Sequence, residues 1–198
     1  MLRQSLTLIV ATLVTLGLAG VALAQDAPAP HKSTKGYSIL APTGWEVVSG
    51  ELDPQELEKL PTSVREHYDP KTTDVMFMDL ASNTEMNDFK DNLNIVVLDE
   101  PVPISDELIA ELKEILTEQY KSLFEGFALT VFEKTKFGEN DAIKIEATYT
   151  LLGYELVLYQ ALMTGPTKAL VITCTMEQSR KEDRVKICSE SFSSVSFQ

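Results

Sequence analysis

Histidine, tryptophan and cysteine are scarce in this chain of 198 residues: it has two, one and two of them respectively. Only one histidine, His67, falls where a folded part is expected. No G-x-S-x-G elbow accompanies it and nothing marks a serine as its partner, so a nucleophile–base pair has no visible basis. Beside Arg65, Glu66 and Tyr68, His67 reads as a surface side chain. The two cysteines, Cys174 and Cys188, form no C-x-x-C, so no redox motif is present. Neither follows the first apolar stretch, where Gly20 is succeeded by Val21, so no lipid anchor is expected. Basic charge is also short, at 17 Lys and Arg against 30 Asp and Glu, a net −13. Phosphate binding needs a positive footprint, so nucleic acid and anionic membrane surfaces are disfavoured as partners. Gly165-Pro166-Thr167-Lys168 lacks the P-loop spacing and reads as a hairpin turn. Asp88, Asp91 and Asn92, and again Glu139, Asn140 and Asp141, bring oxygen donors together without the donor ladder, Gly and terminal Glu of an EF-hand. Turn chemistry accounts for both groups, and no metal or other cofactor is expected.

One long apolar run is present, and it stands at the start. Arg3 supplies a positive n-region, Leu6 to Gly20 is apolar, and Ala22-Leu23-Ala24 is a small-residue cleavage site. Residues 1–24 therefore read as a signal peptide, with Gln25 as the first mature residue. The alternative is an uncleaved membrane anchor. No other stretch is long and apolar enough to span, so none is expected after cleavage, and the location expected is periplasmic or secreted. Cleavage removes one basic residue and leaves 16 against 30. Residues 25–35, QDAPAPHKSTK, hold few apolar side chains and read as a disordered linker. Residues 36–198 are enough for one domain with a core of its own, expected to be a monomer.

Within that domain the clearest element is a helix over Ser105–Phe124. Leu108, Leu112, Ile115, Leu116, Tyr120, Leu123 and Phe124 recur at steps of three and four. Ser105 suits the N-cap, and Asp106 and Glu107 suit the positive end of the helix dipole. Short strands are expected at Gly36–Leu40, Trp45–Val48, Thr73–Leu80 and Asp91–Leu98. A helix is expected from Asp53, where Pro54 follows a capping Asp. Four strand candidates follow the long helix, at Ala128–Lys136, Ala142–Leu151, Tyr154–Met163 and Lys168–Met176. Their connections are short, which makes antiparallel neighbours and a meander. Ser179-Arg180-Lys181-Glu182 has the form of a capping box opening a last helix, with Val185, Cys188 and Phe192 as its apolar stripe.

Two groups of residues are candidates for binding. Glu107, Glu111, Glu114 and Glu118 line the polar face of the long helix. Like charges four apart cost a few tenths of a kcal/mol each, so the stripe is either a solvated face or a surface for a basic partner. Trp45, with Tyr37, Met76, Phe77 and Met78, forms either the wall of an apolar pocket or ordinary core. Cys174 and Cys188 are expected to form a disulfide. Export places them in an oxidising compartment. From a reversal near Ser179, the strand at ~3.3 Å per residue and the helix at ~1.5 Å per residue both cover roughly 14–16 Å, so the two arrive level. The alternative is a pair of packed free thiols.

Several stretches together resemble the PsbP-like superfamily, which includes the photosystem II extrinsic protein, Ran-binding Mog proteins and bacterial envelope proteins of the DcrB type. They are Gly36-Tyr37-Ser38-Ile39-Leu40-Ala41-Pro42-Thr43-Gly44-Trp45, the strand segment Asp91–Val97 and the closing Phe192–Phe197. The resemblance spans residues 36–197 and rests on the order of elements. It implies an α+β fold, an antiparallel β-sheet with helices on both faces. It also implies a non-catalytic accessory or interaction module, which for an exported chain belongs to the cell envelope. A carrier for a small apolar molecule or lipid is the alternative, and a hydrolase the third reading.

Overall fold

The computed structural model describes residues 30–48, 73–82 and 89–198. The expected signal peptide, the expected linker up to residue 29, the helix expected from Asp53, His67 and Asp88 lie outside the described residues.

The elements in chain order are β1 (His31–Ser33), β2 (Tyr37–Ile39), β3 (Glu46–Val48), β4 (Thr73–Met78), β5 (Asn92–Leu98), α1 (Asp106–Leu123), β6 (Glu125–Phe137), β7 (Asn140–Leu151), β8 (Tyr154–Thr164), β9 (Ala169–Glu177), α2 (Lys181–Ser193) and β10 (Ser196–Phe197). Among the described residues seven strands form the main sheet in the order β3-β4-β5-β9-β8-β7-β6, and every neighbouring pair is antiparallel. After β5 the chain leaves through α1 to the far edge, then returns as the expected meander β6-β7-β8-β9 until β9 closes on β5. The β7–β8 hairpin turns on two residues, Leu152 and Gly153, both with positive φ (51° and 85°). That backbone matches the right-handed twist of the flanking strands, and glycine suits it better than leucine does.

Strand alternation divides the core into two layers. Val96, Leu98, Ile143, Ile145, Ala147, Leu158, Leu162 and Val171 face one side of the sheet and pack against Leu108, Leu112, Leu116 and Tyr120 of α1. Burying each such side chain is worth about 1.5–3 kcal/mol. Leu93, Ile95, Val157, Met163, Leu170, Ile172 and Met176 face the other side and pack against Cys188 and Phe192 of α2. The architecture is thus the expected α+β one, a sheet with a helix on each face. α1 begins as the sequence indicates, with the Leu108 amide donating to the Ser105 hydroxyl at 3.2 Å.

Three features depart from the sequence reading. The expected linker, residues 25–35, forms a strand from His31: β1 pairs with β2. Polar contacts do there what apolar residues do elsewhere. Ser33 donates to Asp74 at 2.5 Å, Lys35 lies 3.3 Å from the same carboxylate, and the His31 ring meets the edge of Phe77. Second, β2 does not join the main sheet. It lies between β1 and β10 in a separate three-stranded sheet, so the closing Ser196-Phe197 pairs with the opening Tyr37-Ser38. Third, the capping box at Ser179 is not formed. Gln178–Arg180 is a turn of 3-10 helix, and α2 starts at Lys181 without a side-chain cap. Arg180 is drawn instead into an ion network with Asp91.

Candidate interaction surface

The inner face of α1 is committed to the core, which leaves its outer face to solvent. Glu107, Glu111, Glu114 and Glu118 are all exposed there. Among the described residues none of the four takes part in an ion pair. The neighbouring Asp106 does, with Lys134 of β6 at 2.6 Å. The four carboxylates therefore form an exposed row on a capped helix without ion pairs. A row of like charge attracts basic groups, and it is also what a solvated helix face presents.

Trp45 is elsewhere. It is 2 % exposed and packs in the α2-side layer with Tyr37, Ile39 and Phe77. The sheet separates it from the acidic stripe, so the structure does not bring these two groups together. Met76 and Met78 are buried as well. The oxygen-donor groups are engaged in local structure. Asp141 pairs with Lys136 at 2.8 Å, and the Asn140 side-chain amide donates to the Val195 carbonyl at 2.8 Å. Among the described residues no group of three acidic, histidine or cysteine side chains could hold a metal ion.

Cys174 of β9 and Cys188 of α2 are both fully buried. They are joined as a disulfide across a Cα separation of 6.4 Å, within the span such a bond covers. The bond ties the middle strand of the sheet to the middle of α2. Phe137, Tyr159 and Phe192 pack beside it, Tyr159 and Phe192 stacked with ring centroids 5.2 Å apart.

Among the described residues, buried charge gathers at a place that the sequence does not mark. Asp91, 0 % exposed, accepts from Arg180 Nη2 at 2.7 Å and Arg180 Nε at 2.8 Å. It also accepts from Arg184 Nε at 2.8 Å and the Glu177 amide at 3.1 Å. Arg184 reaches on to Asp79, and Arg180 to Glu177 at 2.7 Å. Burial alone would lower the Arg180 pKa, but its hydrogen bonds to Asp91 and the surrounding carboxylates hold it above the ordinary arginine value. Two arginines against three carboxylates make this a structural clamp at the start of α2. The only signal in the sequence is Arg180 and Arg184 four apart, on one helical face.

A second polar group lies in the α1-side layer. Asn92, Asn94, Gln160, Thr173 and Thr175 are each no more than 1 % exposed. Gln160 Nε2 donates to the Thr173 hydroxyl at 2.7 Å, and the Tyr120 hydroxyl donates to Gln160 Oε1 at 3.5 Å.

No protein-family model and no curated protein matches the sequence. Solved structures do match. The chain is similar to cyanobacterial PsbP (CyanoP) from Synechocystis sp. PCC 6803, with TM-score 0.57 and 15 % identity over 92 % of this chain and 99 % of that one. It is also similar to LpqN, involved in cell envelope biogenesis of Mycobacterium tuberculosis, with TM-score 0.50 and 12 % identity over 87 % of this chain and 86 % of that one. Identities this low speak to the fold alone. What they show is that this fold, an antiparallel sheet between two helices, is like that of cyanobacterial PsbP.

Proposed function

We propose that the protein is a non-catalytic accessory module of the cell envelope, exported by its signal peptide, that docks a basic partner protein on the outer face of α1. The observation that carries this reading is the row Glu107, Glu111, Glu114 and Glu118. It is exposed and free of ion pairs among the described residues, on a helix whose other face is fully used. Several kinds of support agree with it. The fold is shared with LpqN, which is involved in cell envelope biogenesis. The disulfide suits an oxidising compartment. No helix among the described residues is long and apolar enough to cross a membrane. The carrier alternative drew on Trp45, Tyr37, Met76, Phe77 and Met78 as pocket walls, and those side chains are packed into the core.

Affinity capture from the protein's own envelope fraction tests the proposal, comparing the processed protein with a Glu111→Lys/Glu114→Lys variant. The wild type should retain a basic protein that the variant does not, and raised salt should release it, because exposed charges are screened. Identical captures by both proteins would reject the acidic face as the docking surface. Hydrolytic turnover by the purified protein would reject the non-catalytic reading.

A further inference from the structure

On the α1 side of the sheet, one rung of directly paired residues reads Met78, Asn92, Thr175, Leu158 and Ala147. Tyr149 stands two residues along β7 on the same face. On the next rung Gln160 donates to Thr173; on this one no side chain bonds to another. The Asn92 side-chain amide donates to the Lys90 carbonyl at 3.2 Å, but its Oδ1 has no hydrogen-bond partner among the described residues, and neither do Thr175 Oγ1 and Tyr149 Oη. Tyr149 approaches Thr175 without completing a well-aligned hydrogen bond. All three residues are at least nine-tenths buried, at 0 %, 0 % and 3 % exposure. A buried polar atom left unpaired costs about 1–3 kcal/mol. Three such atoms gathered on neighbouring positions of one face are costly unless something else meets them. Valine at 175 and phenylalanine at 149 would fill nearly the same volume without that cost.

We propose that Asn92, Thr175 and Tyr149 form an internal seat for one neutral hydroxyl group. Asn92 Oδ1 can only accept, whereas the Thr175 and Tyr149 hydroxyls can each give or take a hydrogen bond, which is the complement of an O–H. The rung itself carries no charge to balance an ion. The nearest carboxylates in sequence, Asp91 and Glu177, are held by Arg180. Burial raises the Tyr149 pKa far above neutrality, so its phenol stays protonated. The other members of the rung, Met78, Leu158 and Ala147, are apolar. The hydroxyl belongs either to a buried water or to the alcohol end of an apolar molecule.

Water-selective cross-relaxation NMR on the alcohol-free protein tests it, followed by titration with 1-decanol and, separately, decane. A long-lived water contact is expected at the Thr175 methyl, the Tyr149 ring or the Asn92 side-chain amide. Loss of that contact with 1-decanol but not decane assigns the seat to an alcohol. Its persistence assigns the seat to water. Absence of any water contact at the three residues, together with no 1-decanol shift there, overturns the proposal. A Thr175→Val/Tyr149→Phe variant should lose the contact. The wild-type measurement decides the question even where that variant does not fold.

Discussion

Asp91 accepts hydrogen bonds from two arginines and a backbone amide while shut away from solvent. Its removal strands Arg180 and Arg184 in partly buried positions. Asp91→Ala should therefore cost about 3–5 kcal/mol, as breaking one side of a buried ion pair does. Lys134→Ala, which opens the exposed pair with Asp106, should cost within about 1 kcal/mol. Urea unfolding of the two variants measures both, and equal small losses would deny the network its role. Asp74 gives a different signal. Burial alone would raise its pKa, but hydrogen bonds from Ser33 and Tyr37 and the charge of Lys35 outweigh it and bring the value below the ordinary 3.8. A carboxylate with a depressed folded-state pKa stabilises the fold above its unfolded pKa. That contribution is lost as pH falls through the folded value. Wild-type stability should consequently fall more steeply than that of Asp74→Asn below about pH 4. Parallel pH profiles would show that Asp74 does not hold β1 and β2 to the sheet.

Among the elements, α1 has the sharpest division of labour. Leu112 is 2 % exposed against the sheet, and Glu111, beside it in sequence, faces water. Leu112→Asp buries a charge without a partner and should be severely destabilising. Glu111→Lys relieves repulsion along the stripe and should be neutral or stabilising by a few tenths of a kcal/mol. Thermal melts of the two variants check this, and equal losses would mean the face is misassigned. The helix was legible in the sequence because its repeat is local: apolar residues three and four apart need only a flat apolar surface to meet. α2 was less legible. Its apolar stripe is short, and its first turn is set by Asp91, which lies 89 residues away from Arg180. A capping motif read at Ser179 could not register that competition.

For the whole molecule, the disulfide and the two small end strands decide how the α2 side is closed. Cys174–Cys188 spans 14 residues, a loop for which chain entropy gives roughly 3 kcal/mol of stabilisation. Thiol labelling of the unfolded, unreduced protein should find no reactive cysteine, and two after reductant. Two before reductant would remove the bond from the account. Export has its own measurement: intact mass of the protein from its native host should begin at Gln25. Retention of Met1 in a membrane fraction would contradict it.

Periodicity and rise per residue in the sequence were enough for the meander after α1, the two faces of α1 and the level approach of Cys174 to Cys188, while the α+β arrangement with helices on both faces came from the resemblance. The first three follow from residues close along the chain, where rise per residue and side-chain alternation fix geometry. Periodicity was also enough to show the four glutamates as an exposed row. Only the tertiary structure decided that His31–Ser33 is a strand, that Ser196-Phe197 returns to Tyr37-Ser38, and that Arg180 clamps Asp91 instead of following a capping box. It alone set Asn92 beside Thr175. Those outcomes depend on contacts between distant positions, such as Ser33 with Asp74. There the gain from one polar contact outweighs a local preference worth a fraction of it.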